Sequence, residues 1–301
     1  MNLQTTRRCL IAVGLLAIAA PAWAGSQIEK TLKLDPGGKF VLEADEGSVD
    51  VVGTDQSGAS VVVTSYRNDL EKEVDFKFEE DAGMVRVRER RRYWNLFDFL
   101  FDPLGLHYEI RVPKSTTLEI RTGGGGIRVD STVGYAELKT SGGSIEISHL
   151  IGDVHAHTSG GRIQAEQIRG ELEIGTSGGG IEADSIDGGL VADTSGGSIR
   201  IGGVTGRVRA HTSGGSIEAS LSKGNAHGGL IDTSGGSIFV RLDPAVNLDV
   251  DASSSGGGVS SGIPLRGADS TSWDALRGTL GTGGELLRVH TSGGSVRLEP
   301  L

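Results

Sequence analysis

Apart from Cys9 the chain contains no cysteine, and Cys9 lies just ahead of an apolar stretch near the N-terminus. Stability must therefore come from packing and backbone pairing rather than from disulfides. Aromatic residues are scarce, at 5% of 301. After residue 24 no apolar run approaches the roughly 20 residues needed to cross a bilayer. Basic residues are outnumbered, 29 against 39 acidic, for a net charge of −10. Setting aside Arg7 and Arg8 takes this to −12, which disfavours nucleic acid and anionic lipid as bulk partners. The His-Glu-x-x-His zinc string and the phosphate loop are missing too.

What the chain has in quantity is glycine, 49 residues, and most of it sits at one recurring place. A phrase Thr-Ser-Gly-Gly-Ser-Ile, with single changes, starts at Thr140, Thr158, Thr176, Thr194 and Thr212, each 18 residues after the last. A looser copy starts at Thr122, and later copies drift to Thr233, Ser254 and Thr291. A fixed period marks a repeat architecture. Within one unit, Val154, Ala156 and Thr158 alternate with polar residues, as do Ile163 and Ala165. Alternation of period two is the strand signal. The glycine pair between the two runs reads as a corner that admits positive φ. Each unit is too short to bury its own apolar set, so neighbours must stack about 4.8 Å apart to make one core.

The expected fold is all-β: a single-stranded parallel β-solenoid of about 18-residue coils with irregular N-terminal capping strands. Right-handed winding, a right-handed β-helix, is the default for parallel crossovers. A left-handed hexapeptide helix is set aside because the apolar gaps of 2, 2, 5, 2, 3 and 4 do not follow a six-residue rhythm. Calcium-binding nonapeptide repeats are set aside because the Gly-Gly corners carry no Asp. Residues 1–24 read as a secretory signal peptide: Arg7-Arg8, a short apolar run, then Ala22-Trp23-Ala24. Arg7-Arg8 also leaves twin-Arg export open. The expected organisation is one domain over 25–301, irregular over 25–117 and regular over 118–301, with an excursion at 260–282.

The leader, the Gly47-Ser48-Val49-Asp50-Val51 opening, Val112-Pro113, the Thr-Ser-Gly-Gly series and the close from Leu286 to Val296 carry a resemblance. On these features the chain resembles the bacterial family known as "putative adhesins", exported Gly-rich β-solenoid domains. The resemblance implies the fold and an envelope location, and brings no catalytic residue with it.

Three sets of residues are candidates for function. The first is the structural repeat itself: Thr140, Gly142, Gly143, Thr158, Thr176, Thr194 and Thr212. An ordered hydroxyl array facing a glycan is one reading. Because the Thr phase matches the inward Val and Ala positions, a half-buried ladder bonded to the corner amides is the preferred one. The second comprises two outward columns, Lys139, His157, Asp193, His211, Asp232, His290 and Arg128, Glu146, Gln164, Glu182, Arg200, Glu218, Phe239. The latter reads as a charge ladder that fixes register. His157 and His211 lie three coils apart, about 14 Å, too far to share a metal ion. The third is the insert Tyr93 to Leu106, where Tyr93, Trp94, Phe97, Phe99 and Phe101 concentrate the chain's few aromatics. It reads as a partner-contact patch or as a cap for the solenoid end.

Together these readings describe a non-enzymatic exported envelope protein, adhesin-like or scaffolding, with no cofactor. It would be periplasmic or at the cell surface. Its expected partner is an envelope protein or a glycan, with self-association through an end coil as another route. A polysaccharide-active β-helix enzyme is the rival, and would need its long excursions to enclose acidic residues on one face.

Overall fold

A computed structural model describes residues 25–68, 70–92, 104–222 and 224–301, apart from the side chains of Glu71, Ser270 and Thr271. The leader at 1–24 lies outside the described residues. The described chain is almost wholly strand, with one helical turn at Leu70–Glu73. The strands form a 13-stranded and a 14-stranded sheet. One repeat gives one strand to each. Leu172–Thr176 enters the 14-stranded sheet, hereafter the Thr sheet, and Ile181–Asp187 enters the 13-stranded Ile sheet.

Stacking is parallel and in register at the repeat period. Thr140 lies beside Thr158, Thr158 beside Thr176, and the series continues through Thr194 and Thr212 to Thr233. Alternation then divides each strand: Leu172, Ile174 and Thr176 are buried while Glu173 points out. The inward aliphatic side chains form one core cluster running from Leu32 to Leu298.

The apolar gap of three, from Ala165 to Ile168, has a backbone cause. Gln167 lies in the left-handed region (φ 56°), as do Ser131, His149 and Ser185 at the same place in their coils. Each inserts one extra residue, so the strand bends and Ile168 still faces the core. A left-handed conformation costs a non-glycine residue about 1–2 kcal/mol.

The expected role of the corner glycines needs correction. Gly142, Gly143, Gly160 and Gly161 do not have positive φ. The second glycine of each pair is required by close approach instead. A Cβ on Gly161 would fall 2.1 Å from the Gly143 carbonyl oxygen, whereas one on Gly160 has no neighbour nearer than 3.6 Å. Positive φ is used at the opposite corner, by Gly152 and Gly170 (141° and 142°).

The coils are not stacked in chain order at either end. Strand Lys39–Ala44 packs directly on Thr117–Thr122, although Met84–Arg91 intervenes in sequence and packs on its other side. At the far end, the last coil, Leu286–Thr291 and Val296–Pro300, is wedged inside the stack. It lies between the coil of Gly229–Thr233 and Ile238–Leu242 and the coil that begins at Leu248–Ser254. The excursion at 260–282 is an antiparallel hairpin, Arg266–Ser272 and Ala275–Leu280, that continues the Thr sheet beyond Leu248–Ser254. Trp273 at its turn is 69% exposed, while Leu276 packs against the core. Antiparallel strands close the other end as well: Ser26–Leu32 and Ala59–Ser65 on the Ile sheet, Val74–Asp81 on the Thr sheet. Removing two antiparallel strands from the Ile sheet and three from the Thr sheet leaves eleven parallel coils, a stack about 50 Å long.

Candidate functional site

Thr140, Thr158, Thr176, Thr194 and Thr212 are all buried. The Thr176 hydroxyl donates to the Gly161 carbonyl of the preceding coil at 2.9 Å and accepts the Gly179 N–H at 3.2 Å. Thr140, Thr158, Thr194 and Thr212 repeat both bonds. Each hydroxyl thus joins two successive corners, and none is presented to a ligand. The array is a clamp along the stack, and surface chemistry must come from outward columns.

On the Ile sheet the outward column is partly self-satisfied. Arg128 meets Glu146 at 2.8 Å, Arg200 lies 3.6 Å from Glu218, and Arg241 contacts the same glutamate at 2.9 Å. Its hydrogen bond to Glu146 holds Arg128 above the ordinary guanidinium pKa. Nearby, burial pushes the Asp130 carboxyl up, but hydrogen bonds from Ser148, His149 and Ser131 outweigh it and hold the group below the usual carboxylate range.

The outer face of the Thr sheet is less complete. Across the middle coils the column reads Lys139, His157, Gly175, Asp193, His211. Lys139 pairs with Glu137 and, by that hydrogen bond first, holds its carboxyl below the ordinary value. His211 is 3.0 Å from Asp232, and His155, in the parallel column, is 3.1 Å from Glu173. His157 and Asp193 have no hydrogen-bond or ion-pair partner among the described residues. Between them Gly175 contributes no side chain, and an open trough of about 610 Å³ results. Tyr135, 41% exposed, stands at its edge with its ring 5.6 Å from that of His155. Two further troughs of similar size lie elsewhere. In those, Arg207 pairs with Glu285, Thr205 with Asp187 and Arg200 with Glu218.

Read without its glycine, the column gives no sign of the trough. The signal was present: Gly175 stands where the neighbouring coils carry His or Asp. Gly175-Thr176-Ser177-Gly178-Gly179 also has the Gly-x-Ser-x-Gly spacing of a nucleophile elbow. That elbow needs a strand-to-helix turn and a base on the serine. Here the turn joins two strands, and the Ser177 hydroxyl has no partner among the described residues. Among those residues no group of three or more His, Cys, Asp or Glu converges on a metal-sized site.

Tyr93, Trp94, Phe97, Phe99 and Phe101 lie outside the described residues. Their anchors do not. Met84–Arg91 and His107–Pro113, which flank the insert in sequence, form the outermost parallel coil at the N-terminal end. At its exit Leu104 is buried, and its N–H donates to Glu46 Oε1 at 2.7 Å. In that coil Glu89 stands one residue beyond the Glu43–Arg88 pair, at the Thr position. It is 2% exposed, and its Oε2 accepts the backbone N–H of Asp45 at 2.6 Å and of Glu46 at 3.3 Å. Burial pushes its carboxyl up to about 7. Tyr108 is buried beside it and is raised by burial, then by the Glu89 charge.

The sequence pattern of the Toastrack DUF4097 family matches residues 40–299. No curated protein matches the chain. Among solved structures it is similar to a "putative adhesin" of Bacteroides fragilis, at 10% identity over 91% of this chain and 97% of that one, with a TM-score of 0.38. A "putative lipid binding protein" of Parabacteroides distasonis matches at 10% identity over 90% and 96%, TM-score 0.37. A "putative adhesin" of the same organism matches at 8% identity over 91% and 98%, TM-score 0.38.

Proposed function

The chain belongs to the Toastrack DUF4097 family, and on that premise we propose that it is an adhesin-like, non-enzymatic binding protein of the bacterial envelope. It is exported by its N-terminal leader and holds a partner, an envelope protein or glycan, against the outer face of the Thr sheet. The observation that supports this most is the division of labour among side chains. Inward positions are aliphatic or threonine and are used up by stacking, while His157 and Asp193 stand outward and unpaired on either side of Gly175.

The rival enzyme needs its excursions on one cleft. Among the described residues, the strands that flank the insert lie in the outermost coil at one end of the stack and the hairpin Arg266–Leu280 extends the other, which counts against a shared cleft. The test is retention of the purified protein on an isolated envelope fraction of its host. The reading expects saturable retention that survives high salt; no retention above a scrambled-face control would sink it.

The aromatic insert is a second contact or a cap. A variant with Trp94→Ser, Phe97→Ser, Phe99→Ser and Phe101→Ser separates the two. A large fall in Tm marks a cap; unchanged Tm with weakened retention marks a contact.

A further inference from the structure

The geometry points to the trough over Gly175 as a binding site for a neutral saccharide of one or two rings, a reading that rests on the binding role proposed above. The outward column leaves two side chains without partners among the described residues. Every other charged side chain lining the trough has a partner: Lys139 with Glu137, His155 with Glu173, His211 with Asp232. His157 and Asp193 have none among the described residues, and they flank the one coil that presents a glycine. They belong to strands two coils apart, about 10 Å, a span that a sugar ring with its hydroxyls fills and a single water does not.

The floor is backbone. A Cβ at Gly175 would sit 3.2 Å from His157 Nδ1 and 3.7 Å from the Asp193 carbonyl oxygen, so any larger side chain would stand in the notch itself. A carboxylate can accept from a sugar hydroxyl, and a neutral imidazole can both donate and accept. Tyr135, its ring 5.6 Å from that of His155, offers an aromatic face for the C–H side of a sugar ring. Convergent polar groups beside an aromatic wall, in a volume of about 610 Å³, match the general form of a small-ligand site. Charge selects further: Glu137, Glu173 and Asp193 outnumber Lys139 around the trough. The local field is therefore negative and disfavours uronic acids, sialic acids and phosphorylated glycans.

The test uses cellobiose and N,N′-diacetylchitobiose as probes, with ligand-observed NMR and calorimetry on the purified full protein. It compares wild type, Gly175→Leu, Asp193→Asn and a control on the other sheet, Glu182→Gln. Gly175 points outward, so Gly175→Leu fills the notch without touching the core, and thermal melting verifies its fold. Binding of at least one disaccharide is expected, lost tenfold or more in Gly175→Leu, weakened in Asp193→Asn and unchanged in Glu182→Gln. Failure of wild type to bind either probe, unchanged binding in Gly175→Leu, or preference for polygalacturonate would each overturn the inference. Envelope retention measured in parallel separates the two claims. If wild type and Gly175→Leu are retained equally, the trough is not the site while the binding role stands. If wild type is not retained, the role itself falls.

Discussion

Glu89 shows how one side chain can take over a structural task from another. In the regular coils a threonine hydroxyl ties one corner to the next. In the outermost coil a glutamate occupies that position and accepts two corner amides from its neighbour. The substitution carries a pH dependence that threonine would not. A glutamate titrates near 4.5 when solvated, and burial raises this one to about 7. The folded state therefore holds the proton more tightly than the unfolded chain does. The associated stability is complete below pH 4.5 and is lost as the pH rises through 7, about 3 kcal/mol in all. Urea unfolding should accordingly give a wild-type stability that falls between pH 5 and 7.5 relative to Glu89→Gln, which cannot ionise. Parallel pH profiles for the two proteins would contradict the assignment. At this scale the sequence displayed the Thr column, because identical residues recur at an identical spacing. Glu89 was hidden because its coil is too irregular to align by phrase.

The corner is the element on which the stack depends, and its two glycines have different jobs. A Cβ on Gly179 would lie 1.9 Å from the Gly161 carbonyl oxygen, while one on Gly178 meets nothing nearer than 3.7 Å. Gly179→Ala should therefore lower stability by about 3 kcal/mol or more, as backbone of the adjoining coil must move. Gly178→Ala should change it little. Equal effects in chemical denaturation would return the corner to a conformational rather than a steric explanation. The strands themselves were legible from alternation, and Ala44 and Val49 do align with Thr122 and Ile127 as the phrase suggests. The left-handed bends at Ser131, His149, Gln167 and Ser185 were not legible, since none of these residues is a glycine and only the three-residue apolar gap betrays them.

For the whole molecule, the interleaved ends matter more than the length of the stack. The C-terminal strand Val296–Pro300 is bonded on both sides, to Ile238–Leu242 and to Val259–Ser261, so the end of the chain is not the end of the solenoid. Native-state hydrogen exchange should show Val296 and Leu298 protected as strongly as Ile217 and Ala219, with Ser26–Leu32, an edge strand, exchanging faster. Fast exchange at Val296 and Leu298 would mean a sequential stack. No repeat phrase could announce this order, because the distance from Thr233 to Thr291 looks like a simple excursion until pairing is known. Antiparallel strands and the charged pair Glu29 and Lys30 at one sheet edge oppose end-to-end growth, which leaves the faces for recognition. The most direct test of that account is hydroxyl-radical footprinting of the protein with and without its envelope fraction, read by mass spectrometry at aromatic and histidine side chains. The account predicts protection at Tyr135, His155 and His157 on the Thr sheet. Protection at Phe239 or Trp273 with those three unchanged would contradict it.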